Sequence, residues 1–549
     1  MRIHFVFPNI NDAGYKLVGA STLSALAKKA GHETALFDTS FMDLGDITNA
    51  TNLKDSKRVK GTNRTIGEKI LDFKPISDQS VFNKQKVDLK ATLYSKLKSF
   101  KPDLVGVSCL STEWYLAQLI LSYTKEYDPS IFTIVGGRHC IADPEGTVGH
   151  PSVDAVCVGE GELAFMRLLE ALEKGKLDYQ IPGLRIKDQN GKIHQTPPKG
   201  YLLELDDLPY IDNEIYEEGQ FFRPFYGKLW RSLDFNLMRG CNEFCNYCQM
   251  PKVYSLYGDD RTIRRYSIDR AIEELAWQKK KWNLEFIRFH DESFLIVSNQ
   301  YLEEFASKYE KNVGLPFVVD VSPLTVNPEK ARLLKEMGCA SVSMGFETGN
   351  EAFRMKGQNK AVSSKQALKS FHSVADLNVR TVSFNMIGFP GETRDLIFDT
   401  VNFMRAARVH SPSIGFVYPF KGTALRDQVI KENLFDPSIE EYGSAQWSRD
   451  YPSINNPNIS SEEYAGIFRT FIFYCKMPRK YWGDLKIAEK LSDQGDSMFE
   501  KMSEVYLNEY ADISCAEDEK DRYVPDIVLN EQDFYKPELT GDALFPHST

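Results

Sequence analysis

Hydrophobic positions in the first 173 residues switch repeatedly between short apolar runs and three- or four-residue spacing. The runs Arg2–Pro8, Glu33–Asp38, Asp103–Leu110, Ile131–Val135 and Ala155–Val158 read as strands. The run at Asp103–Leu110 is almost unbroken, as in parallel strands covered on both faces. Between the runs, Val18–Ala30 carries Leu23, Leu26 and Ala27 at helical spacing, with Gly31 as its stop. Trp114–Tyr127 reads as a further helix, and another runs from Glu162 to about Glu173. This alternation predicts a doubly wound, Rossmann-like α/β sheet whose ligands bind outside the carboxyl ends of its strands. The loops Ser108–Leu110, Gly136–Gly137 and Gly159–Glu162 fall there. Residues 45–90 interrupt the rhythm with Lys, Asn, Asp and Ser and read as an insertion.

After a Gly-, Pro- and charge-rich connector with a hairpin at Asp188–Gly191, a second alternation begins. Its strands are Asp234–Met238, Phe286–His290, Phe317–Val321, Ser341–Phe346, Thr381–Ile387 and Ile414–Pro419. The helices between them are Ile268–Lys281, Gln300–Lys311, Pro328–Met337, Ser364–Leu377 and Asp395–Ala407. Six repeats predict a partial (β/α)6 barrel, short of the eight that close one, with its site at the strands' carboxyl ends. Beyond it, Glu440–Tyr451 is aromatic and polar, Ser460-Ser-Glu-Glu caps a helix at Ser461–Tyr474, and the chain turns acidic with Asp496, Glu500, Glu504, Glu517 and Asp518. The expected division is residues 1–165, connector 166–225, barrel 226–430, and a small helical domain, 431–549, over the barrel mouth.

Composition adds limits. A chain of 549 residues with 42% hydrophobic and 26% charged positions is globular and of several cores. A net charge of −10 gives no electrostatic reason for a nucleic-acid partner. Met1–Pro8 is no secretory segment, and no stretch is apolar for long enough to span a bilayer, so the chain reads as cytoplasmic without an integral membrane segment.

Of nine cysteines, six are scattered in the manner of packing residues, and Cys241, Cys245 and Cys248 lie within eight positions, just after the first barrel strand. A reducing compartment argues against a disulfide. Structural zinc wants four protein ligands, and His290 is the nearest further candidate. Thiolates are the ligands of iron–sulfur clusters, and three of them would leave one iron of a four-iron cluster open. Both metals remain in play on the residues alone.

The spacing Cys-x-x-x-Cys-x-x-Cys with Tyr247 before the last cysteine resembles the signature of the radical S-adenosylmethionine (SAM) superfamily. Phe289–Phe294, Met344–Gly349, Asn385–Thr393 and Pro419–Thr423 resemble further elements of its cobalamin-binding branch, a likeness spanning about residues 100–425. In the first segment Ser108-Cys109-Leu110 and Gly136-Gly137 resemble the serine-x-leucine and glycine-glycine elements of cobalamin-binding domains. The Val-Gly-Glu-Gly-Glu run containing Glu160 resembles their fused form. The Asp-x-His-x-x-Gly element that brings the lower cobalt ligand is replaced by Asn9–Gly14. His139 is a conceivable substitute, a surface or hydrogen-bonding role the plainer one. Gly136-Gly137 can equally be a tight turn.

The resemblance implies a 4Fe–4S cluster on Cys241, Cys245 and Cys248 whose open iron takes SAM. It implies cobalamin against Ser108, Leu110, Gly136, Gly137 and Glu160. Tyr247 would lie against the adenine or serve as a core aromatic, and Asp291 and Glu292 would meet the methionine ammonium or form a solvated acidic turn. Glu347, Ser383 and Asn385 would add SAM contacts. An external one-electron donor such as flavodoxin or ferredoxin is then required. The activity implied is methylation of an unactivated carbon in a small-molecule or lipid-like substrate; a cyclase or rearrangement enzyme, or a non-catalytic cobalamin-binding regulator, are the alternatives. No catalytic side chain is singled out, and nothing names the substrate.

Overall fold

The computed structural model describes residues 1–10, 15–45, 80–201, 204–438 and 452–511. Most of the polar stretch at 45–90, positions 11–14 of the Asn9–Gly14 segment, Glu440–Tyr451, and Glu517 and Asp518 lie outside them.

The first sheet takes β1 (Arg2–Phe7), β2 (Glu33–Asp38), β5 (Leu104–Ser108), β6 (Phe132–Gly136), β7 (Ala155–Cys157), β8 (Leu184–Lys187) and β9 (Ile193–Gln195), in the order β2-β1-β5-β6-β7-β8-β9. A short pair, β3 (Met42–Asp43) and β4 (Gln85–Lys86), stands apart. The five leading strands are parallel and follow the flavodoxin-like winding, whose switch point falls between β1 and β5. Helices Val18–Lys29 and Glu162–Glu173 cover one face and Leu89–Phe100 and Trp114–Tyr127 the other, each closing its own apolar core. The hairpin of the connector does not stand alone. Its strands β8 and β9 extend this sheet past residue 165, pairing antiparallel against β7 and so covering an otherwise bare edge.

The second sheet has the order β10-β11-β14-β15-β16-β17-β18: β10 (Phe222–Phe225), β11 (Lys228–Phe235), β14 (Phe286–Phe289), β15 (Phe317–Val321), β16 (Cys339–Glu347), β17 (Arg380–Ile387) and β18 (Ser411–Phe416). Six of these are parallel, giving the expected partial barrel, with β10 as an antiparallel addition. The first strand runs Lys228–Phe235, not Asp234–Met238. It starts earlier because its polar first half pairs with β10. The last strand starts three residues early, tolerating Pro412 because it is the edge. Helix Ser461–Lys476 packs on β18 and on helix Arg394–Ala406, and the helical residues after it join the same core. The approach to the barrel mouth comes instead from Ser453, whose hydroxyl bonds the Val417 carbonyl, and from Asn456, which bonds the carbonyls of Phe389 and Glu392.

Candidate active site

The three cysteines do not follow the first barrel strand directly. After β11 the chain forms a two-strand ribbon, β12 (Met238–Arg239) against β13 (Arg264–Arg265), and the cysteine loop is the excursion between its arms. Gly240 opens that loop at φ +116, where a Cβ would meet the Ile263 side chain at 2.9 Å. Helix Met250–Leu256 closes it: the Cys241 N–H donates to the Tyr254 hydroxyl at 2.9 Å, and that hydroxyl donates to the Cys241 carbonyl. Main-chain N–H groups of Glu243 and Met250 point at the sulfurs of Cys241 (3.5 Å) and Cys248 (3.4 Å). Burial pushes the Cys241 and Cys245 thiols up to about 12 and raises that of Cys248. Loading with metal therefore has to release protons, as it does wherever thiolate ligands are made from thiols.

A second loop, after β16, braces the first. The Asn246 N–H donates to the Gln358 carbonyl (3.0 Å), its amide to the Gly357 carbonyl (2.6 Å), and the Asn359 amide to the Phe244 carbonyl (2.7 Å). The buried Lys360 ammonium lies 3.3 Å from Glu243 and 3.8 Å from Glu347. Glu347 sits at φ +76, a strained conformation of the kind concentrated at functional sites, and its carboxyl is raised by burial against the opposing pull of Lys360. Tyr247 lies beside Cys245 and Glu347 and packs edge-on to Phe389 at 5.8 Å. Cys245, Tyr247, Glu347 and Lys360 thus form one cluster. Lys360 and Glu243 were not picked from sequence, because only the fold of the second loop brings them there.

The other residues expected to meet SAM stand differently. Asp291 is neither solvated nor open: it accepts from the Met238 N–H at 2.6 Å, and burial pushes its carboxyl up to about 8. Glu292 accepts from the Gly240 N–H (3.3 Å) and pairs with Arg138 (3.0 Å), which follows Gly136-Gly137 in the first sheet. Ser383 and Asn385 do not join the site. Both lie on the face of β17 turned to helix Arg394–Ala406, where the Ser383 hydroxyl meets the Met404 sulfur at 2.9 Å and the Asn385 amide bonds Ser383 and the Ser413 carbonyl. Strand alternation sends the intervening Phe384, 39% exposed, toward the barrel interior.

In the first sheet a cavity of about 190 Å³ opens over β1, β5, β6 and β7, beneath helices Val18–Lys29 and Glu162–Glu173. Ser108, Gly136 and Gly137 line it, with Gly19, Gly106 and Cys157. An added Cβ at Gly19 would enter open space and one at Gly136 would meet Cys157 at 3.9 Å without crowding, while Gly137, at φ +94, already lies so close to the Cys109 carbonyl that a Cβ would stand 2.6 Å from it. Leu110, two residues past the end of β5, is 44% exposed among the described residues. Small residues keeping a cavity open at the switch point fit a bulky cofactor such as cobalamin. Glu160 departs from its expected role: both carboxylate oxygens are held by Arg264, at 2.9 and 2.7 Å, so it faces the ribbon rather than the cavity. His139 is buried, stacked on Trp114 at 4.6 Å, its Nδ1 at 3.2 Å from the Ser111 hydroxyl, which fits the hydrogen-bonding role.

Three thiols on one loop, with main-chain N–H groups directed at two sulfurs, are a donor set suited to an iron–sulfur cluster. Residues 235–404 match the family model of the radical SAM superfamily, and residues 81–169 that of the B12 binding domain. An uncharacterized methyltransferase of Pyrococcus horikoshii is 26% identical over 62% of this chain and 72% of its own length. The anaerobic magnesium-protoporphyrin IX monomethyl ester cyclase of Rubrivivax gelatinosus is 22% identical over 56% of this chain and 55% of its own. Among solved structures, the cobalamin-dependent SAM radical enzyme OxsB, with aqua-cobalamin and SAM bound, superposes with a TM-score of 0.61 at 15% identity, over 92% of this chain and 71% of its own.

Proposed function

The chain belongs to the cobalamin-dependent branch of the radical SAM superfamily, whose cofactors are a 4Fe–4S cluster, SAM and cobalamin, and from that premise we propose that it methylates an unactivated carbon of a small-molecule or lipid-like substrate. The observation that carries this is the direct bonding of the two cofactor loops: Arg138, beside the cavity glycines, pairs with Glu292, which also holds Gly240 at the entrance to the cysteine loop. Together the cofactors supply a 5′-deoxyadenosyl radical and a transferable methyl group.

The chain's own part is placement and exclusion. Cys241, Cys245 and Cys248 would hold the cluster. Lys360 would keep Glu347 and Glu243 neutralised beside it, and Tyr247 would bridge the cluster loop to Phe389. The small residues Gly19, Gly106 and Gly136 would leave room for the corrin cofactor. The substrate would enter the barrel interior past Phe384, above the paired Arg288 and Asp320, 3.7 Å apart. The external electron donor would be flavodoxin or ferredoxin. The cyclase among the relatives favours one second reading, radical chemistry on a ring system without net methyl transfer.

Anaerobic reconstitution with iron and sulfide, then SAM and a strong reductant, is expected to release 5′-deoxyadenosine. Methyl-deuterated SAM and a small-metabolite extract separate the two readings: label in a product supports methylation, and a labelless product supports cyclisation. No 5′-deoxyadenosine from protein of verified iron content would sink both. Loading with hydroxocobalamin should leave a bound corrin spectrum after gel filtration.

A further inference from the structure

The two arms of the ribbon carry arginines at paired positions, Arg239 opposite Arg264. Both reach out of the barrel to the loop after β7. Arg264 grips Glu160 with two parallel bonds of 2.9 and 2.7 Å, and Arg239 bonds Glu162 at 2.6 Å while lying 3.4 Å from Glu160. The side chains of Arg264 and Glu162 are only 6% and 8% exposed. Bidentate arginine–carboxylate pairs fix direction as well as distance.

The surroundings leave little slack. The Glu160 N–H donates to the Tyr257 hydroxyl at 2.8 Å, and a Cβ at Gly159 would collide with that hydroxyl at 2.4 Å. Tyr201 stacks on Tyr257 at 3.9 Å and lies under the Arg264 guanidinium at 4.1 Å. The ribbon is also the base of the cysteine loop, and Gly161 and Glu162 line the cavity in the first sheet. One set of contacts therefore joins the frame of one cofactor to the frame of the other.

We propose that Arg239, Arg264, Glu160 and Glu162 form a positioning clamp that sets the corrin against the cluster, so that loosening it uncouples methyl transfer from reductive cleavage of SAM. The proposal rests on the two-cofactor reading above. The two reactions depend on the clamp unequally. In cleavage, one electron from the cluster would break the sulfur–C5′ bond, giving methionine and a 5′-deoxyadenosyl radical that becomes 5′-deoxyadenosine by taking a hydrogen atom from a C–H bond of the substrate or, without substrate, of citrate or buffer. Cluster and SAM would both be held by loops of the barrel, so cleavage depends less on the placement of the first sheet. In methyl transfer, the methyl carbon leaves sulfur, which keeps the bonding pair as S-adenosylhomocysteine, and the reduced corrin cobalt supplies both electrons of the new bond. That step needs reacting atoms from two sheets within about 3–3.5 Å, where a displacement near 1 Å costs on the order of 10²-fold.

The test uses holoenzyme carrying cluster and corrin, with excess SAM and titanium(III) citrate as reductant and no substrate. Glu160→Gln and Arg264→Lys are expected to keep iron content, corrin content and 5′-deoxyadenosine release within twofold of wild type. S-adenosylhomocysteine release should fall at least tenfold, and Glu160→Asp should recover part of it. Arg239→Lys, acting on the other arm, serves if either first variant fails to fold. An unchanged ratio of the two products overturns the clamp. So does an equal fall in both with cofactors retained, which marks a structural role, or loss of corrin, which marks a binding role. Wild-type holoenzyme that releases neither product overturns the two-cofactor reading itself, a distinguishable result.

Discussion

Glu392 ends the loop after β17, where the Gly388 N–H (2.7 Å) and the Tyr464 hydroxyl (3.0 Å) both donate to its Oε2. Its Oε1 is buried without a hydrogen-bond partner among the described residues, and burial pushes the carboxyl up to about 8. The folded chain therefore holds a proton that an unfolded glutamate gives up near pH 4.3. Stability from this group is complete below that value and is lost as pH rises toward 8, because the folded state binds more protons over that window. Glu392→Gln keeps the shape and removes the titration. Its melting temperature should decline less than that of wild type between pH 5 and 8.5; parallel declines would mean that the carboxyl is ionised at neutral pH. Cys245→Ala tests a different residue-scale demand. It should abolish 5′-deoxyadenosine release and lower iron content, whereas Cys109→Ala, a buried packing thiol, should leave iron content unchanged.

Elements were legible wherever one periodicity ran long enough to dominate. Helix Trp114–Tyr127 and strand β15 match their predicted bounds, and helix Ile268–Trp282 extends one residue further. The misplacements come from pairing, which no local pattern encodes. Lys228–Arg231 became strand through β10, and Ser411–Ser413 through β17. The site divides in the same way. Three closely spaced cysteines and glycines at strand ends announce themselves in sequence, but the face that Ser383 and Asn385 occupy depends on register, and Glu160's partner arrives from 104 residues away. The cavity is an element-scale property because several strands and helices enclose it. Gly136→Val puts a branched side chain where the only neighbour within 4 Å of a Cβ is Cys157, at 3.9 Å. Iron content and melting temperature should hold while corrin retained through gel filtration falls at least tenfold; undiminished corrin would place the cofactor elsewhere.

At the scale of the whole molecule, the first sheet is pinned to the barrel by a charge that neither could bury alone. Lys16, just before helix Val18–Lys29, sends its ammonium to the carbonyls of Gln220 (3.2 Å) and Ser232 (2.9 Å), 3.9 Å from Asp234. The Lys16 and Asp234 side chains are each 1% exposed. Asp234 also meets Arg223 at 3.1 Å and the His290 ring, and the Arg223 charge with its other polar neighbours holds its carboxyl well below the usual range despite burial. A buried pair gives little net stability over an apolar replacement of both partners, but removing one partner strands the other and costs about 3–5 kcal/mol. Lys28 makes a useful contrast. It pairs with Asp212 (2.9 Å) and Glu214 (3.1 Å) from the same helix, yet is 35% exposed, where water screens the attraction to within ~1 kcal/mol. Lys16→Met should therefore lower the denaturation midpoint far more than Lys28→Met, although both delete one lysine charge, Lys16 reaching the barrel and Lys28 the connector. Equal effects would mean that water reaches Asp234 once the ammonium is gone, and that the attachment rests on apolar packing instead.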